Sequence, residues 1–383
     1  MIYLDNCATT KPREEVVEAM TIALREEYGN PSSLHRMGME MENKIESIRS
    51  DIASFLNVSS EEIYFTSGGT ESNNIAIQSI VKSKSKFGKK IITSIVEHSS
   101  VENVYKQYKG SEFDVVFLKC DGYGNVDLEE LENEIDDETI LVSFVHVNNE
   151  LGSINDIKAI SEIVKKKNPK THLHVDGVQA FGKIDIDLKE LNIDSYSISG
   201  HKIHGPKGVG LLYLKKGINI NPIVFGGNQE SGIRSGTENT TSIIGFGKAV
   251  ECLRVLLDDE IEHKSNLRKH LVNRIENEIS DIRINTDLNN SASAITNISF
   301  LNTRGEVILH YLENDDIYIS TASACCSNTK KPSSVLAKLG YDNTITEGSI
   351  RVCTSYEISI KDIDYFVDRL KLAVEEIRKI TMR

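Results

Sequence analysis

A lysine with unusual neighbours follows the strand-like run Ser195 to Ser199, in the short loop Gly200, His201 and Lys202. Most lysines are solvated surface charges, because Lys is almost never fully buried without a partner. A lysine at the end of a buried strand is different, since burial lowers its pKa and leaves an amine that can form a Schiff base. We therefore take Lys202 as the candidate nucleophile of this sequence.

A glycine turn that could hold an anion lies at Ser67, Gly68, Gly69 and Thr70, between a strand-like and a helix-like run. Exposed amides, a hydroxyl and the helix dipole at such a turn bind phosphate well. A plain helix cap with a glycine turn explains the same residues. The turn has no Gly-Lys-Ser/Thr continuation, so it is not a nucleotide P-loop.

Polar residues also end two other strand-like runs. Asp176, with Gln179 shortly after it, follows His174 and Val175, and a buried carboxylate there needs a cationic or donor partner. The alternative is an ordinary cap or turn Asp. His98 closes another strand and is either a catalytic group or a structural histidine.

A pair of cysteines and an arginine in the last sixty or so residues complete the candidate chemistry. Cys325 and Cys326 lie among small polar residues, which predicts an exposed loop with a reactive thiol, although free cysteine is usually a small buried hydrophobe. Arg351 interrupts an apolar strand and could bind a carboxylate bidentately, with a surface ion pair as the alternative.

Alternating strands and helices must position these residues. The apolar pattern predicts helices at 13–27, 39–55, 128–135, 157–166 and 244–279, and strands at 62–66, 90–96, 113–118, 140–147, 172–175, 194–199, 208–214, 294–300 and 317–320. Nearly continuous apolar strands between helices indicate a mostly parallel sheet covered on both faces. Catalytic loops then gather at the carboxyl ends of its strands.

Composition limits the function classes. The chain has 383 residues, of which 39% are hydrophobic and 26% charged, as in an ordinary globular protein, and its net charge of −13 argues against a general nucleic-acid surface. No apolar run approaches the roughly 20 residues of a membrane helix. The N-terminal residues lack a signal-peptide pattern, which favours a cytoplasmic location. The six cysteines, which include the scattered Cys7, Cys120, Cys252 and Cys353, are expected to be reduced.

Taken together and in order, these motifs resemble the cysteine desulfurases of the pyridoxal-phosphate (PLP) class-V aminotransferase superfamily over essentially the full chain. The matching segments are Tyr3–Thr10, Asn30–Ser33, Phe65–Ser72, Glu97–His98, Val147–Gly152, Val175–Asp176 with Gln179, Ser199–Lys202, Arg234–Thr237, Ser323–Cys325 and Ile350–Arg351. Each segment is weak evidence alone, whereas the ordered set is specific.

The resemblance implies an α/β fold of the fold-type I class. It implies a large PLP-binding domain at residues 13–258, with a mostly parallel seven-stranded sheet sandwiched by helices. It also implies a smaller α+β domain from residues 1–12 and 259–383, which carries the cysteine loop. A homodimer, L-cysteine as substrate and a sulfur-acceptor protein are further implications, with no membrane, stable nucleic acid or metal involved.

The resemblance also implies roles for individual residues. Lys202 would hold the cofactor and then move protons, Asp176 would keep the pyridine nitrogen protonated, and His98 would stack on the ring. Arg351 would bind the substrate carboxylate, and Cys325 would take the sulfur as a persulfide. The remaining cofactor contacts would be Gly69, Thr70, Ser199, His201, Gln179, Asn149, which also contacts substrate, and Thr237 from a second subunit.

Some alternatives stay open at the level of sequence. Cys326 stands where relatives commonly have a hydroxyl residue, so it could receive or resolve the persulfide of Cys325. Selenocysteine lyase and another class-V aminotransferase-like enzyme are close alternatives, and a cofactor-free sulfur carrier is an alternative from a different class. The identity of the acceptor, in iron-sulfur assembly or in thiolation of tRNA or a cofactor, does not follow from the sequence.

Overall fold

The computed structural model describes residues 1–321 and 334–381. Its strands are β1 (Ile2–Tyr3), β2 (Ile63–Thr66), β3 (Lys90–Ser94), β4 (Asp114–Leu118), β5 (Thr139–Val145), β6 (His172–Asp176), β7 (Ser195–Ser199), β8 (Gly210–Leu214), β9 (Ile282–Ile284), β10 (Ile295–Phe300), β11 (Ile317–Tyr318) and β12 (Ser349–Cys353).

The α-helices separate most of these strands along the chain. They are α1 (Glu14–Glu26), α2 (Arg36–Phe55), α3 (Gly69–Lys84), α4 (Ser99–Tyr108), α5 (Leu128–Glu134), α6 (Ile157–Lys167), α7 (Leu188–Leu191), α8 (Thr240–Glu278), α9 (Gly305–Glu313), α10 (Ser334–Lys338), α11 (Asn343–Glu347) and α12 (Ile360–Thr381). Short 3₁₀ turns lie at Ser60–Glu62, Gly200–Lys202 and Glu230–Gly232.

A seven-stranded sheet dominates the fold, with the strand order β2-β8-β7-β6-β5-β3-β4. Strands β3 to β7 pair in parallel, whereas β8 runs antiparallel to both β7 and β2. Every residue of β5, β6, β7 and β8 is buried, as expected for strands covered by helices on both faces. The predicted α/β architecture with a mostly parallel seven-stranded sheet is confirmed.

A second apolar core lies around smaller sheets. Strands β12, β10 and β9 form an antiparallel three-stranded sheet, and β1 pairs in parallel with β11. Its core joins Ile2 and Leu4 to residues of α9 and α12 and to the C-terminal half of α8, while Leu253 in the N-terminal half of α8 belongs to the core of the large sheet. Helix α8 therefore contributes to both cores, and the predicted domain boundary at residue 258 falls inside it.

The predicted elements are present with small differences at their ends. Helix α2 begins at Arg36, three residues before the predicted start, because the His35 side chain accepts a hydrogen bond from the Gly38 amide and caps it. A capping box precedes α12, since the Ser359 amide donates to Asp362 Oδ2 at 2.8 Å and the Asp362 amide donates to Ser359 Oγ at 3.3 Å. No helix in the two described ranges is long and apolar enough to cross a membrane.

The expectation that all cysteines are reduced is wrong for one pair. Cys7 and Cys353 form a disulfide, with their Cα atoms 5.7 Å apart and a sequence separation of 346 residues. The pair meets because the segment after β1 lies beside β12, where the Cys353 amide donates to Leu4 O and the Asn6 amide donates to Cys353 O. Sequence spacing does not reveal a contact of this range. Cys120 and Cys252 are free thiols.

Candidate active site

The site lies where the parallel strands β6 and β7 end side by side. Asp176 is the last residue of β6, and Lys202 ends the 3₁₀ turn that directly follows β7. Asp176 pairs with Ser197 across the two strands, so the carboxylate and the lysine turn are held at one edge of the sheet. This is where parallel α/β sheets bind ligands.

Carbonyl groups of the N-terminal segment hold the amine of Lys202. Its Nζ donates to Cys7 O at 2.5 Å and to Ala8 O at 2.8 Å. The same segment is also hydrogen-bonded to the lysine turn, because the Thr10 amide and Oγ1 both donate to His201 O. The N-terminal residues therefore form a wall of the site, and the disulfide at Cys7 joins that wall to β12.

Asp176 is fixed by two donors. It is 3% exposed, and its Oδ2 accepts from Asn73 Nδ2 at 2.8 Å while its Oδ1 accepts from the Val178 amide at 3.0 Å. Asn73 Nδ2 also donates to Ser100 Oγ at 2.8 Å, and Ser100 Oγ lies 2.8 Å from His98 Nδ1. The candidate ring-stacking histidine and the candidate pyridine partner thus share one hydrogen-bond network.

Histidines inside the sheet lie behind this network. His174 Nε2 lies 3.0 Å from Asn73 Oδ1, and its Nδ1 lies 2.8 Å from Ser195 Oγ. His172 Nε2 lies 2.8 Å from the same hydroxyl. Burial lowers the pKa of both histidines to about 3, so they are neutral hydrogen-bonding groups near neutral pH. They support Asn73 without adding charge to the site.

His98 and His201 are within electrostatic range of the site lysine. Burial lowers the pKa of His98, and Lys202 adds to that shift while the Asp176 carboxylate opposes it. Burial and the nearby Lys202, Lys207 and Lys183 lower the pKa of His201 to about 4. Both rings can therefore make neutral, directional contacts.

The glycine turn opens helix α3 beside the same strand ends. Gly69 is the first residue of α3, and a Cβ at this position would lie 2.4 Å from Val178 Cγ2. Such a Cβ would also lie 3.7 Å from Ser199 Cβ, so Gly69, Ser199 and the residues after Asp176 converge. Thr70 is exposed at the helix N-terminus, where backbone amides and the dipole favour an anion.

Gln179, Asn149 and Arg351 reach the site from three further elements. Gln179 Nε2 donates to Cys7 O at 2.9 Å, which leaves its buried Oε1 without a hydrogen-bond partner among the residues the structure describes. Arg351, on β12, donates from Nη1 to Asn149 O and from Nη2 to Asp5 Oδ1, each at 2.8 Å. Arg351 is 3% exposed, so the alternative interpretation of this residue as part of a surface ion pair is wrong.

A protonated carboxyl group lies beside His98. Glu97 is 4% exposed, and burial raises its pKa to about 8. Its Oε1 accepts from Ser94 Oγ at 2.6 Å and from the Val145 amide at 3.1 Å. A neutral Glu97 adds no negative charge next to Asp176.

Some predicted site residues are not brought together in this chain. Thr237 is exposed, in a segment that the Arg234–Glu71 ion pair at 3.3 Å connects to the start of α3. Cys325 and Cys326 lie outside the described residues. Sequence reasoning missed Asn73, Ser100 and Lys183, because polar residues are ordinary at the helix starts and the turn where they lie.

The donor set fits a phosphorylated pyridine aldehyde. Lys202 carries an amine that can form a Schiff base. The buried carboxylate of Asp176, which accepts two hydrogen bonds, suits a protonated ring nitrogen, and the N-terminus of α3 suits a phosphate. Gln179 Nε2 donates to the same Cys7 carbonyl as Lys202 Nζ, and the buried Gln179 Oε1 has no hydrogen-bond partner among the described residues. No group of three or more His, Cys, Asp or Glu side chains that could hold a metal ion is present in the described ranges.

Comparisons with known proteins identify the family to which the chain is similar. The family model for class-V aminotransferases matches residues 2–366. The curated cysteine desulfurase IscS of Dictyoglomus turgidum is 41% identical over 99% of this chain and 96% of its own length. The solved structure named NifS-like protein has a TM-score of 0.93 and 38% identity, covering 98% of this chain and 99% of that one.

A third relative was solved with an amino acid bound. It is SspA in complex with cysteine, with a TM-score of 0.81 and 32% identity over 93% of this chain and 99% of that chain. Matches of this length and identity exceed what a shared fold alone produces. The chain therefore belongs to the class-V aminotransferase family and, within it, to the cysteine desulfurases.

Proposed function

We propose that this protein is a PLP-dependent cysteine desulfurase that converts L-cysteine to L-alanine and passes the sulfur through Cys325 to an acceptor. The observation that carries the proposal is the position of Lys202 and Asp176, which lie close to the ends of adjacent parallel strands. The named relatives act on cysteine or were solved with it, which supports cysteine as the substrate class.

The cofactor would be held by groups from both ends of the site. Gly69, Thr70, Ser199 and His201 would bind its phosphate, with Thr237 contributed by a second copy of the chain in a homodimer. His98, Asn149, Asp176, Gln179 and Lys202 would hold the ring and its aldehyde. When bound, PLP supplies an electron sink that makes the bonds at the substrate α and β carbons labile.

The residues of this chain would orient the substrate and move its protons. Arg351 would bind the substrate carboxylate through part of its guanidinium, since its Nε has no hydrogen-bond partner within the described ranges. Asp5 would keep that guanidinium in place through the 2.8 Å ion pair. The amine of Lys202, once released, would remove and return the protons at the substrate carbons.

Sulfur transfer would need a thiolate from this chain. Cys325 would attack the sulfur of the substrate, forming a sulfur–sulfur bond as the carbon–sulfur bond breaks, and the electron pair of that bond would stay with the carbon that becomes the alanine methyl group. The overall change is L-cysteine plus the Cys325 thiol to L-alanine plus the Cys325 persulfide, which balances without an added oxidant. An acceptor protein in iron-sulfur assembly or thiolation would then take the outer sulfur.

The broader organisation stays a prediction. We propose two domains, residues 13–258 and residues 1–12 with 259–383, and a cytoplasmic location. The apolar cores on either side of the middle of α8 support the division. Helix α8 would then connect the domains and let the cysteine segment after β11 meet the site.

One experiment separates the enzyme from a sulfur carrier. The purified protein should show a visible absorbance from a lysine-bound cofactor that borohydride removes, and should form alanine from L-cysteine. Lys202→Ala should lose both properties, whereas Lys207→Ala, which changes an exposed lysine near the same turn, should keep both. A protein that stays colourless with added PLP and forms no alanine overturns the proposal. A parallel assay with L-selenocysteine distinguishes a desulfurase from a selenocysteine lyase.

A further inference from the structure

A small cavity lies beside the lysine turn, where Lys202, Ile203 and His204 line it. Its volume is about 20 Å³, which exceeds the roughly 10–15 Å³ that one water molecule needs. The residues that line it come from the N-terminal segment, the turn after Gln179, the lysine turn, α8 and the end of β12.

Two buried donors on this cavity have no hydrogen-bond partner among the described residues. They are Lys183 Nζ and Thr354 Oγ1, in side chains that are 6% and 5% exposed. A buried polar group without a partner is destabilising, and an unpaired buried ammonium is more strongly so. Two such donors on one cavity point to an occupant that accepts hydrogen bonds from both.

The charge of the lining favours a negative occupant over water. The cavity is lined by the cationic side chains of Arg13, Lys183, Lys202 and Lys264 and by one carboxylate, Glu260. That carboxylate is shared, since Glu260 pairs with Arg13 and, at 2.8 Å, with Lys264. The Arg13–Glu260–Lys264 group therefore keeps one excess positive charge.

The other titratable groups around Lys183 do not cancel this charge. Burial lowers the pKa of Lys183 well below its usual value, and Lys202, Lys264 and Arg351 lower it further. Arg351 has its own counterion in Asp5. His204, also on the cavity, is neutral near pH 7 because burial lowers its pKa to about 4. Even with Lys183 uncharged, the cavity stays positive.

We propose that this cavity is an internal binding site for one small monovalent anion of halide size, held by Lys183 Nζ and Thr354 Oγ1. The anion pairs with the Lys183 ammonium and balances the excess charge of the Arg13–Glu260–Lys264 group. Because Lys202 lines the same cavity, the anion also screens Lys202 from these cations. The inference rests on the cavity and its donors and does not depend on which reaction the site catalyses.

The anion should bind more weakly as pH rises. Lys183 holds the anion best as an ammonium, and its folded-state pKa is depressed, so it loses its proton at a lower pH than an exposed lysine does. Affinity is thus highest at low pH and falls as pH rises through the folded-state pKa of Lys183.

Bromide is the probe that tests the site, because it can be located by its anomalous scattering. Crystals of the purified holoprotein grown with sodium bromide should show one anomalous peak within hydrogen-bond distance of Lys183 Nζ and Thr354 Oγ1. Lys183→Met should remove that peak. Lys166→Met, which changes a surface lysine paired with Glu132, should keep it.

A measurement of Tm in solution complements the anomalous map. It also keeps the proposal testable if Lys183→Met does not fold. Sodium bromide should raise the Tm of the wild-type protein by about 2 °C or more relative to equal sodium gluconate, whose anion is too large for the cavity. Thr354→Val, which keeps the side-chain shape and removes the donor, should reduce this difference, and carries the comparison if Lys183→Met is not folded. A map with no such peak overturns the proposal in favour of bound water, and a peak that survives Lys183→Met overturns it because Lys183 then does not hold the anion.

Discussion

The side-chain amide of Asn73 connects several of the groups for which we propose chemical roles in this site. Its Nδ2 donates to Asp176 and Ser100, and its Oδ1 lies 3.0 Å from His174 Nε2. All of these atoms are buried, so each hydrogen bond is made in a low-dielectric interior where a lost partner is costly. Asn73 is therefore a positioning residue for Asp176.

Replacing Asn73 with alanine should weaken both the fold and the cofactor site. Asp176 Oδ2 loses a donor, so we expect the free energy of unfolding to fall by about 1–3 kcal/mol and PLP to dissociate more readily. Urea unfolding of the apoprotein measures the first effect, and equilibrium PLP titration measures the second. Asn74→Ala is the matched control, since Asn74 Nδ2 donates only to Thr70 O and to no group of this network in the described structure. Equal PLP affinity in wild type and Asn73→Ala would contradict the positioning role.

The sequence indicates some of these residues but not others. The positions of Lys202 and Asp176 could be predicted, because each lies where a strand-like run ends and parallel sheets bind ligands at that edge. The contacts of Asn73 and Lys183 could not, because these residues lie among other polar residues at a helix start and in a turn, and Asn73 meets a residue far away in sequence.

At the scale of elements, the start of α3 packs closely against the turn after β6 because Gly69 has no side chain. A Cβ on Gly69 would lie 2.4 Å from Val178 Cγ2, a distance that real Cβ atoms do not reach. Helix propensity alone would favour alanine here, because glycine destabilises a helix by roughly 0.5–1 kcal/mol relative to alanine. Close packing therefore opposes the local preference.

Gly69→Ala should thus be destabilising despite its better helix propensity. We expect a loss of about 1–3 kcal/mol in the free energy of unfolding from overpacking, and weaker binding of PLP at the displaced helix end. The double variant Gly69→Ala with Val178→Ala should recover part of that loss, because it removes the methyl group that the new Cβ meets. A double-mutant cycle on urea unfolding checks this, and additive effects of the two changes would refute the steric account.

The disulfide between Cys7 and Cys353 joins two elements that form opposite parts of the site. Cys7 O accepts from Lys202 and Gln179, and Cys353 follows Arg351 by two residues on β12. The bond therefore couples the carbonyl that holds the lysine to the strand that carries the candidate carboxylate clamp. Its partners are 346 residues apart, which is why the cysteine spacing did not predict it.

Peptide mapping without reductant should find Cys7 cross-linked to Cys353. Cys353→Ser should lower the free energy of unfolding by about 2–5 kcal/mol under the same oxidising conditions, because the cross-link limits the unfolded chain. Cys252→Ser, which changes a free thiol, is the control and should have little effect. Complete alkylation of both Cys7 and Cys353 in the unreduced, denatured protein would show that the pair is not bonded.

At the scale of the whole molecule, several of the ten histidines are kept in the neutral form by burial or partial burial. Burial lowers their pKa values to about 4 for His146, His201 and His204 and to about 3 for His172 and His174. In the unfolded chain each titrates near its ordinary pKa of about 6.5. The unfolded state therefore binds more protons than the folded state below that pH.

Stability should consequently fall as the pH decreases from about 6.5 towards 4. Each histidine contributes a slope of up to about 1.4 kcal/mol per pH unit in this window. Glu97 acts in the opposite sense, because its folded pKa of about 8 means that its contribution is lost as pH rises from the unfolded value towards 8. Scanning calorimetry should show a Tm that falls as the pH is lowered from about 6.5 to 4.5. Between about pH 6.5 and 8, Glu97→Gln should make the profile flatter than that of the wild-type protein. A constant Tm over the lower range would contradict the histidine assignments.

The large fold could be predicted from hydrophobic patterning, because β5 and β8 are nearly continuous apolar runs, as expected for strands of a sheet covered on both faces. The meeting of the segment after β1 with β12 could not, since it brings residues from opposite ends of the chain together. Function depends on both levels. The sheet places Lys202 and Asp176, and the terminal segments complete their surroundings.

The most direct test of the central claim follows the sulfur. The purified enzyme is given one equivalent of L-cysteine without an acceptor, and the peptide that contains Cys325 and Cys326 is analysed by mass spectrometry after thiol blocking. We expect one added sulfur atom on Cys325 of the wild-type protein. The same addition should be present in Cys326→Ser and absent in Lys202→Ala. Added sulfur found on Cys326 alone, or formed equally in Lys202→Ala, would contradict it.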